Sequence, residues 1–182
     1  MSTLTRHPSG VTSLACGSRF TIALTKGGAV HSFGRNEDGQ LGHGDRATQL
    51  TPRLVEALTH VRVAAICARG AHVLALEADS GKVWSWGRGD EGQLGHGNTA
   101  PSSRPRPIAC FGGGGSTTSD DTMLSPGDNS SRSSSSSSSA SGMSGAVRAV
   151  AIACGRQHSC ALDDQGQLWT WGGGEDGALG HG

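Results

Sequence analysis

Two glycine-spaced loops, three regularly placed histidines and five cysteines are the features of this chain whose types and spacing could do chemistry. Gly87-Arg88-Gly89-Asp90-Glu91-Gly92 and Gly172-Gly173-Gly174-Glu175-Asp176-Gly177 both read GxGxxG after a short apolar run, the spacing that lets backbone N–H groups cradle a dinucleotide pyrophosphate. That chemistry needs a helix N-terminus immediately afterwards. Here each loop runs into a second glycine motif, and each holds two acidic residues that repel phosphate. The matching loop Gly34-Arg35-Asn36-Glu37-Asp38-Gly39 lacks the middle glycine altogether. No nucleotide and no other cofactor is expected.

His43, His96 and His181 close three copies of one motif. Metal ligands must converge within about 2 Å of one ion, whereas repetition keeps one histidine in each copy, so hydrogen bonds that steady a turn are expected instead. Cys16, Cys67, Cys110, Cys154 and Cys160 are odd in number and form no CxxC pair. Four of the five lie in apolar segments, where a free cysteine behaves as a small buried hydrophobe, and reduced thiols in an intracellular compartment fit this usage. No GxSxG elbow, HExxH or paired-carboxylate arrangement occurs, and His158-Ser159 has no third member. The expectation is a chain without catalytic, cofactor-binding or metal-binding residues, and not an enzyme.

Whatever it does must therefore come from the elements themselves. The 182 residues hold 30 glycines against 3 phenylalanines and no tyrosine, so something periodic supplies the glycine. Fifteen basic residues balance fifteen acidic ones, and clusters such as Arg104 and Arg106 are too small for a nucleic-acid footprint. No direct nucleic-acid binding is expected. Met1 to Gly10 has no apolar signal region, and no apolar run approaches the roughly 20 residues that span a bilayer. A soluble protein of the cytoplasm, the nucleus or both is expected, with no membrane contact.

Self-comparison supplies the period. Gly39-Gln40-Leu41-Gly42-His43-Gly44 returns unchanged as Gly92-Gln93-Leu94-Gly95-His96-Gly97, then as Gly177-Ala178-Leu179-Gly180-His181-Gly182. The first interval is 53 residues and the second 85, and the excess is about the length of the low-complexity stretch near Gly112 to Met143. Upstream, Cys16, Ala68 and Cys154 each stand eight residues before Leu24, Leu76 and Leu162. Glycine-bearing turns follow at Lys26-Gly27-Gly28, Asp79-Ser80-Gly81 and Asp164-Gln165-Gly166, so each unit contains a β-hairpin.

After each turn comes a strand: Val30-His31-Ser32-Phe33, Val83-Trp84-Ser85-Trp86 and Leu168-Trp169-Thr170-Trp171. Alternation puts Phe33, Trp86 and Trp171 at one equivalent position, on one face with His31, Trp84 and Trp169. Aromatics so placed fill the space between stacked sheets; a ligand-stacking or light-absorbing cluster is the alternative. Thr51 to Val55 and Arg106-Pro107-Ile108 suit a short edge strand, because proline lacks a backbone donor. No segment sustains a 3.6-residue apolar period, which argues for an all-β class. The structural repeat positions are Gly39, Leu41, Gly42 and Gly44; Trp86, Gly92, Leu94, Gly95 and Gly97; and Trp171, Gly177, Leu179 and Gly180.

A unit reading roughly ACGxxHTxALTxxGxVxSWGxxxxGQLGHG resembles the repeats of the regulator of chromosome condensation family. The resemblance covers Val11 to Gly44, Val63 to Gly97 and Val150 to Gly182. It implies a partial, open β-propeller of about three four-stranded antiparallel blades, part of a seven-bladed ring. The organisation expected is an N-terminal segment at 1–10, repeat one with a connecting strand at 11–62, repeat two at 63–111, a disordered Gly/Ser-rich insert at 112–145, and repeat three, truncated at its end, at 146–182. Three units leave aromatic faces without neighbours, so the chain is expected to be a fragment or an incomplete gene model. Two departures stand out: Phe20 replaces the histidine of His72 and His158, and Ala68-Arg69 replaces Cys-Gly.

By that resemblance the function is a scaffold for protein–protein interaction, with a small GTPase or a ubiquitin-pathway protein among the partners implied. Guanine-nucleotide exchange on a small GTPase is one alternative. Another rests on Cys16 to Lys26, which is similar to propellers of giant HECT-type ubiquitin ligases; the ligase domain is not in these residues. The plant UV-B photoreceptor is a further comparison, but Gly155-Arg156-Gln157-His158-Ser159 has arginine where that receptor's motif has tryptophan.

Overall fold

The computed structural model describes residues 10–112 and 147–181. The Gly/Ser-rich insert expected at 112–145, apart from Gly112, and residues 1–9 lie outside the described residues. Among the described residues eleven strands form three antiparallel sheets. The first holds β1 (Val11–Cys16), β2 (Phe20–Thr25), β3 (Val30–Gly34) and β4 (Gln49–Leu54) in that spatial order. The second repeats it with β5 (Val63–Arg69), β6 (His72–Glu77), β7 (Val83–Gly87) and β8 (Ser102–Pro107). The third has β9 (Ala149–Cys154), β10 (His158–Asp163) and β11 (Leu168–Gly172). This is the all-β, open propeller arrangement that the repeat implies, with one difference. Among the described residues the third blade has three strands, where the repeat implies four.

Register repeats as faithfully as sequence. Phe20, His72 and His158 open β2, β6 and β10 opposite the closing glycines Gly34, Gly87 and Gly172. The proline-bearing strands β4 and β8 lie at the outer edge of their sheets, where a missing N–H donor costs least. The inner strands meet: β1 packs on β5, and β5 and β6 pack on β9.

The core therefore lies between sheets, in two clusters, and not in one centre. Ile22, Leu41, Val55, Leu58, Val73 and Trp86 fill the first joint. Leu74, Val83, Ile108, Phe111 and Ala161 fill the second, with Trp169 and Trp171 packed against them. Phe111 meets Trp169 edge-on at 5.8 Å and pairs through its backbone with Val147. The Gly112 N–H donates to the Val147 carbonyl at 2.7 Å, so the chain leaves and re-enters the second joint at one point. The outer faces stay apolar: Leu14 is 65% exposed on blade one and Leu168 69% on blade three. On blade one a cavity of about 350 Å³ lies among Val11, Leu14, Ala23, His31, Phe33 and Pro52.

Candidate interaction face

The repeated glycine motif and the repeated tryptophan turn out to be two halves of one contact. Gly42 N–H donates to the Gly39 carbonyl, and Gly95 N–H to that of Gly92, both at 3.0 Å, closing a tight turn in each motif. Gln40 folds back so that its side-chain oxygen accepts from the Asp38 N–H at 2.9 Å; Gln93 does the same for Glu91. These turns aim one backbone carbonyl at the next blade. The Trp86 indole N–H donates to Gln40 O at 2.9 Å and the Trp171 indole N–H donates to Gln93 O at 2.9 Å. Gly42 and Gly95 both sit at positive φ, +77° and +71°, and a Cβ on either would lie 2.9 Å from the indole nitrogen. Glycine is thus required twice over, by the turn and by the ring laid on it. Leu41 and Leu94 are fully buried beside these turns, while Gly44 donates its N–H to Ser103 O in β8 at 2.9 Å. Gly177 and Gly180 repeat the turn in the third motif at 3.0 Å, and Leu179 accepts a hydrogen bond from Thr170. Gly92 and Gly97 have positive φ with open space around their Cβ positions. Phe33, the first-repeat equivalent of these tryptophans, lines the exposed cavity of blade one.

The motif histidines each close their own turn. Ser32 Oγ donates to Leu41 O at 2.7 Å, so its oxygen is left to accept from His43 Nε2 at 3.0 Å. Ser85 and His96, and Thr170 and His181, repeat the arrangement. Burial, with Arg53 nearby, pushes the His43 pKa down; burial and Arg106 do so for His96. Among the described residues no group of three His, Cys, Asp or Glu side chains is placed to hold a metal ion.

A fourth histidine works across the second joint. His72 is fully buried, and its Nε2 lies 3.0 Å from Ser159 Oγ. That hydroxyl donates to Gln93 O at 2.8 Å, so the imidazole must donate to it and keeps its Nδ1 bare. Nδ1 is buried without a hydrogen-bond partner among the described residues. Protonating it would strand an N–H away from water, and desolvation by burial, then the field of His158, hold the pKa down to about 4.

The surface built on this frame is polar at one end. Antiparallel alternation puts the β1–β2 turn, the β5–β6 turn, the β9–β10 turn and the loops after β3 and β7 at the same end of the sheets. Ser18 N–H donates to Gly70 O at 2.9 Å, and the Gly70 Cβ position is 2.7 Å from Arg156 O, so the three inner turns touch in a row. There they enclose a cavity of about 310 Å³ with Arg19, Arg35, Arg88, Arg156, Asp38 and Gln157 in its lining. Arg35 is paired with Glu37 and Arg88 with Asp90, each within its own loop. Arg19 and Arg156 have no ion-pair partner among the described residues. What the cavity offers is guanidinium donors, which suit carboxylate oxygens.

Sequence reading placed Arg19 and Arg156 in the repeats without assigning either a role. They occupy different positions of the unit, since Arg19 aligns with Ala71 and Gln157, and Arg156 with Ser18 and Gly70. No period therefore announces them. Counting turns at one sheet end is the only sequence signal that could have found them.

Models described as regulator of chromosome condensation (RCC1) repeat match residues 27–76 and 80–118, and a second model of the same description matches 11–40 and 149–178. The human E3 ubiquitin-protein ligase HERC2 is 35% identical over 174 residues, covering 94% of this chain and 3% of the ligase. The Arabidopsis thaliana ultraviolet-B receptor UVR8 is 31% identical over 179 residues, covering 98% of this chain and 33% of the receptor. Among solved structures, human WBSCR16 superimposes with a TM-score of 0.68 at 23% identity, over 92% of this chain and 34% of that one. Prp20p from Saccharomyces cerevisiae, described together with its binding to Gsp1p and histones, gives 0.66 at 23% identity, over 94% of this chain and 35% of that one. The two structural likenesses carry the fold. The chain spans about a third or less of the length of each of these relatives.

Proposed function

This chain belongs to the regulator of chromosome condensation (RCC1) repeat family, a family of propeller scaffolds for protein interaction, and from that premise we propose that it docks a protein partner through the arginine-lined cavity where its three blades meet. The carrying observation is that two guanidinium groups, Arg19 and Arg156, face this cavity without a carboxylate partner among the described residues, on turns fixed by backbone contact between blades. A partner presenting aspartate or glutamate side chains there would supply the missing carboxylates, and bidentate pairing would give direction as well as attraction.

A second reading concerns what the docking serves. The 35% identity to a ubiquitin ligase over 94% of the chain favours blades that recruit a ubiquitin-pathway protein, with any ligase chemistry lying outside these residues. Guanine-nucleotide exchange on a small GTPase is the alternative, and it would act through the same kind of loop contact.

Pull-downs with purified nucleotide-free small GTPase and with ubiquitin-pathway proteins separate these readings. A partner held by the parent chain is expected to bind at least about tenfold more weakly to the Arg19→Glu/Arg156→Glu double variant, the scale of losing a charge-assisted contact. Lys26→Glu, exposed on the hairpin turn at the opposite end, should leave binding unchanged. Release by added nucleotide would favour exchange. Retention of full affinity by the double variant would refute the proposed cavity.

A further inference from the structure

The second joint holds a pair of thiols that the first joint lacks. Cys67 on β5 and Cys154 on β9 face each other across blades two and three with their sulfurs 2.7 Å apart. The unit alignment shows why they meet. Cys154 takes the place of Ala68 and Cys16, and Cys67 takes the place of Ala15. Ala15 and Ala68 both pack against the first joint's core, as Cys67 and Cys154 do against the second. The propeller thus brings these two positions together at each joint, with two methyl groups at one and two sulfurs at the other. A disulfide bond of about 2.05 Å needs the sulfurs to close by only a fraction of an ångström from where the fold already puts them.

We propose that Cys67 and Cys154 are an oxidation site, converted by a peroxide or a low-molecular-weight disulfide into a cross-blade cystine that fastens the third blade to the second. With hydrogen peroxide the Cys67 sulfur, as thiolate, attacks one oxygen; the O–O bond breaks, a sulfenic acid forms and the other oxygen leaves as water. Cys154 then gives up its proton and attacks that sulfur, the S–S bond forms, and the S–O bond breaks to release a second water. Two electrons pass from the thiol pair to the peroxide. The hydrogen bond with Cys67, then burial, push the Cys154 thiol pKa well up, which leaves Cys67 as the sulfur that attacks first. Cys160 on β10 is the other thiol near the pair, and its pKa is also raised by burial.

The bond would join the two strands that lead into turns lining the arginine cavity. Gly70 follows Cys67 by three residues and Arg156 follows Cys154 by two, and both line that cavity. It would also span 87 residues of chain, enclosing the stretch between Gly112 and Val147. Reduced, the third blade is held, among the described residues, by packing and hydrogen bonds. Oxidised, the two turns are tied, and the third blade can no longer separate from the second. This inference stands on the thiol geometry and does not depend on the docking reading.

The test is mass spectrometry of the whole chain treated with hydrogen peroxide or oxidised glutathione and then alkylated. The expected result is loss of two hydrogens, three labelled cysteines in place of five, and a tryptic link between peptides 63–69 and 149–156. Cys160 falls in a different peptide, 157–182, so the pairing is unambiguous. The melting midpoint should rise by about 5 °C or more on oxidation and fall back with dithiothreitol, as expected when a long loop is closed. Cys67→Ala and Cys154→Ala, which install the residue already tolerated at the first joint, should abolish the link; Cys16→Ala and Cys110→Ala should not. Five labelled cysteines after oxidation, or a crosslink through Cys160, Cys16 or Cys110, would overturn the proposal.

Discussion

Replacing Trp86 with alanine is expected to destabilise the fold by about 3 to 5 kcal/mol, the range for emptying a large buried aromatic site. Trp86 is fully buried, packs in the cluster that joins blades one and two, and loses with its ring the hydrogen bond to Gln40 O. Trp171 makes the same bond from a half-buried position, so its replacement should cost less. The contact can also be attacked from its other side. Gly42→Ala strains a positive φ and drives a methyl group into the indole, whereas Gly97→Ala strains a similar φ with open space around it. Gly42→Ala should therefore be clearly the more damaging of the two, and the difference isolates the ring contact from the turn. Denaturant titration of the four variants checks both statements. Equal midpoints for Gly42→Ala and Gly97→Ala would place the indole elsewhere.

Acid should open the second joint before it opens the first. His72 falls from 6.5 in the unfolded chain to about 4 when folded, because burial favours its neutral form. Above pH 6.5 both states leave it neutral and its contribution is complete. As the pH falls from 6.5 towards 4 the unfolded chain takes up the proton and the folded chain does not, so stability drops by roughly 3 kcal/mol across that window. His43 and His96, also held down by burial, act in the same direction. Phenylalanine already occupies the equivalent place at Phe20, so His72→Phe is the natural comparison. It gives up the hydrogen bond to Ser159 but carries no titrating group. Midpoints measured from pH 7 to pH 4 should decline more steeply for the parent than for His72→Phe, and parallel declines would remove His72 from the account.

How far the sequence could be read follows a physical boundary. Strands, hairpins and the outer proline-bearing strands were legible because they depend on alternation, turn chemistry and donor count, all local properties. The common place of Trp86 and Trp171 was legible too, since both indoles meet the glycine turn of the preceding blade, although one is fully buried and the other half-buried. Contacts between unlike positions were not. Arg19 and Arg156 share a cavity, Cys67 meets Cys154 and His72 meets Ser159 only because the blades pack at a particular angle, which no window of sequence encodes. One departure noted in the sequence does have a structural consequence. A Cβ at Gly17 would lie 1.9 Å from the Phe20 ring, and one at Gly155 would lie 2.1 Å from the His158 ring. Arg69 carries that Cβ in the second unit, so the His72 ring cannot fold back in the same way and reaches across to Ser159 instead. The Arg69 that departs from the repeat's glycine is what sends a histidine into the neighbouring joint.

The indole laid on the preceding glycine turn makes three sheets one wall, and hydrogen exchange at the indole N–H groups reads it directly. All four tryptophans have an acceptor: Trp86 and Trp171 bond to carbonyls of the preceding blade, while Trp84 bonds to Glu77 and Trp169 to Asp163 within their own sheets. Followed by NMR on the uniformly nitrogen-labelled chain, the Trp86 indole proton is expected to exchange most slowly of the four. It should also accelerate sharply in Gly42→Ala while Trp84 and Trp169 hold their rates. A Trp86 indole that exchanges as fast as free tryptophan, or one indifferent to Gly42→Ala, would contradict the joint and with it the wall on which the docking cavity is built.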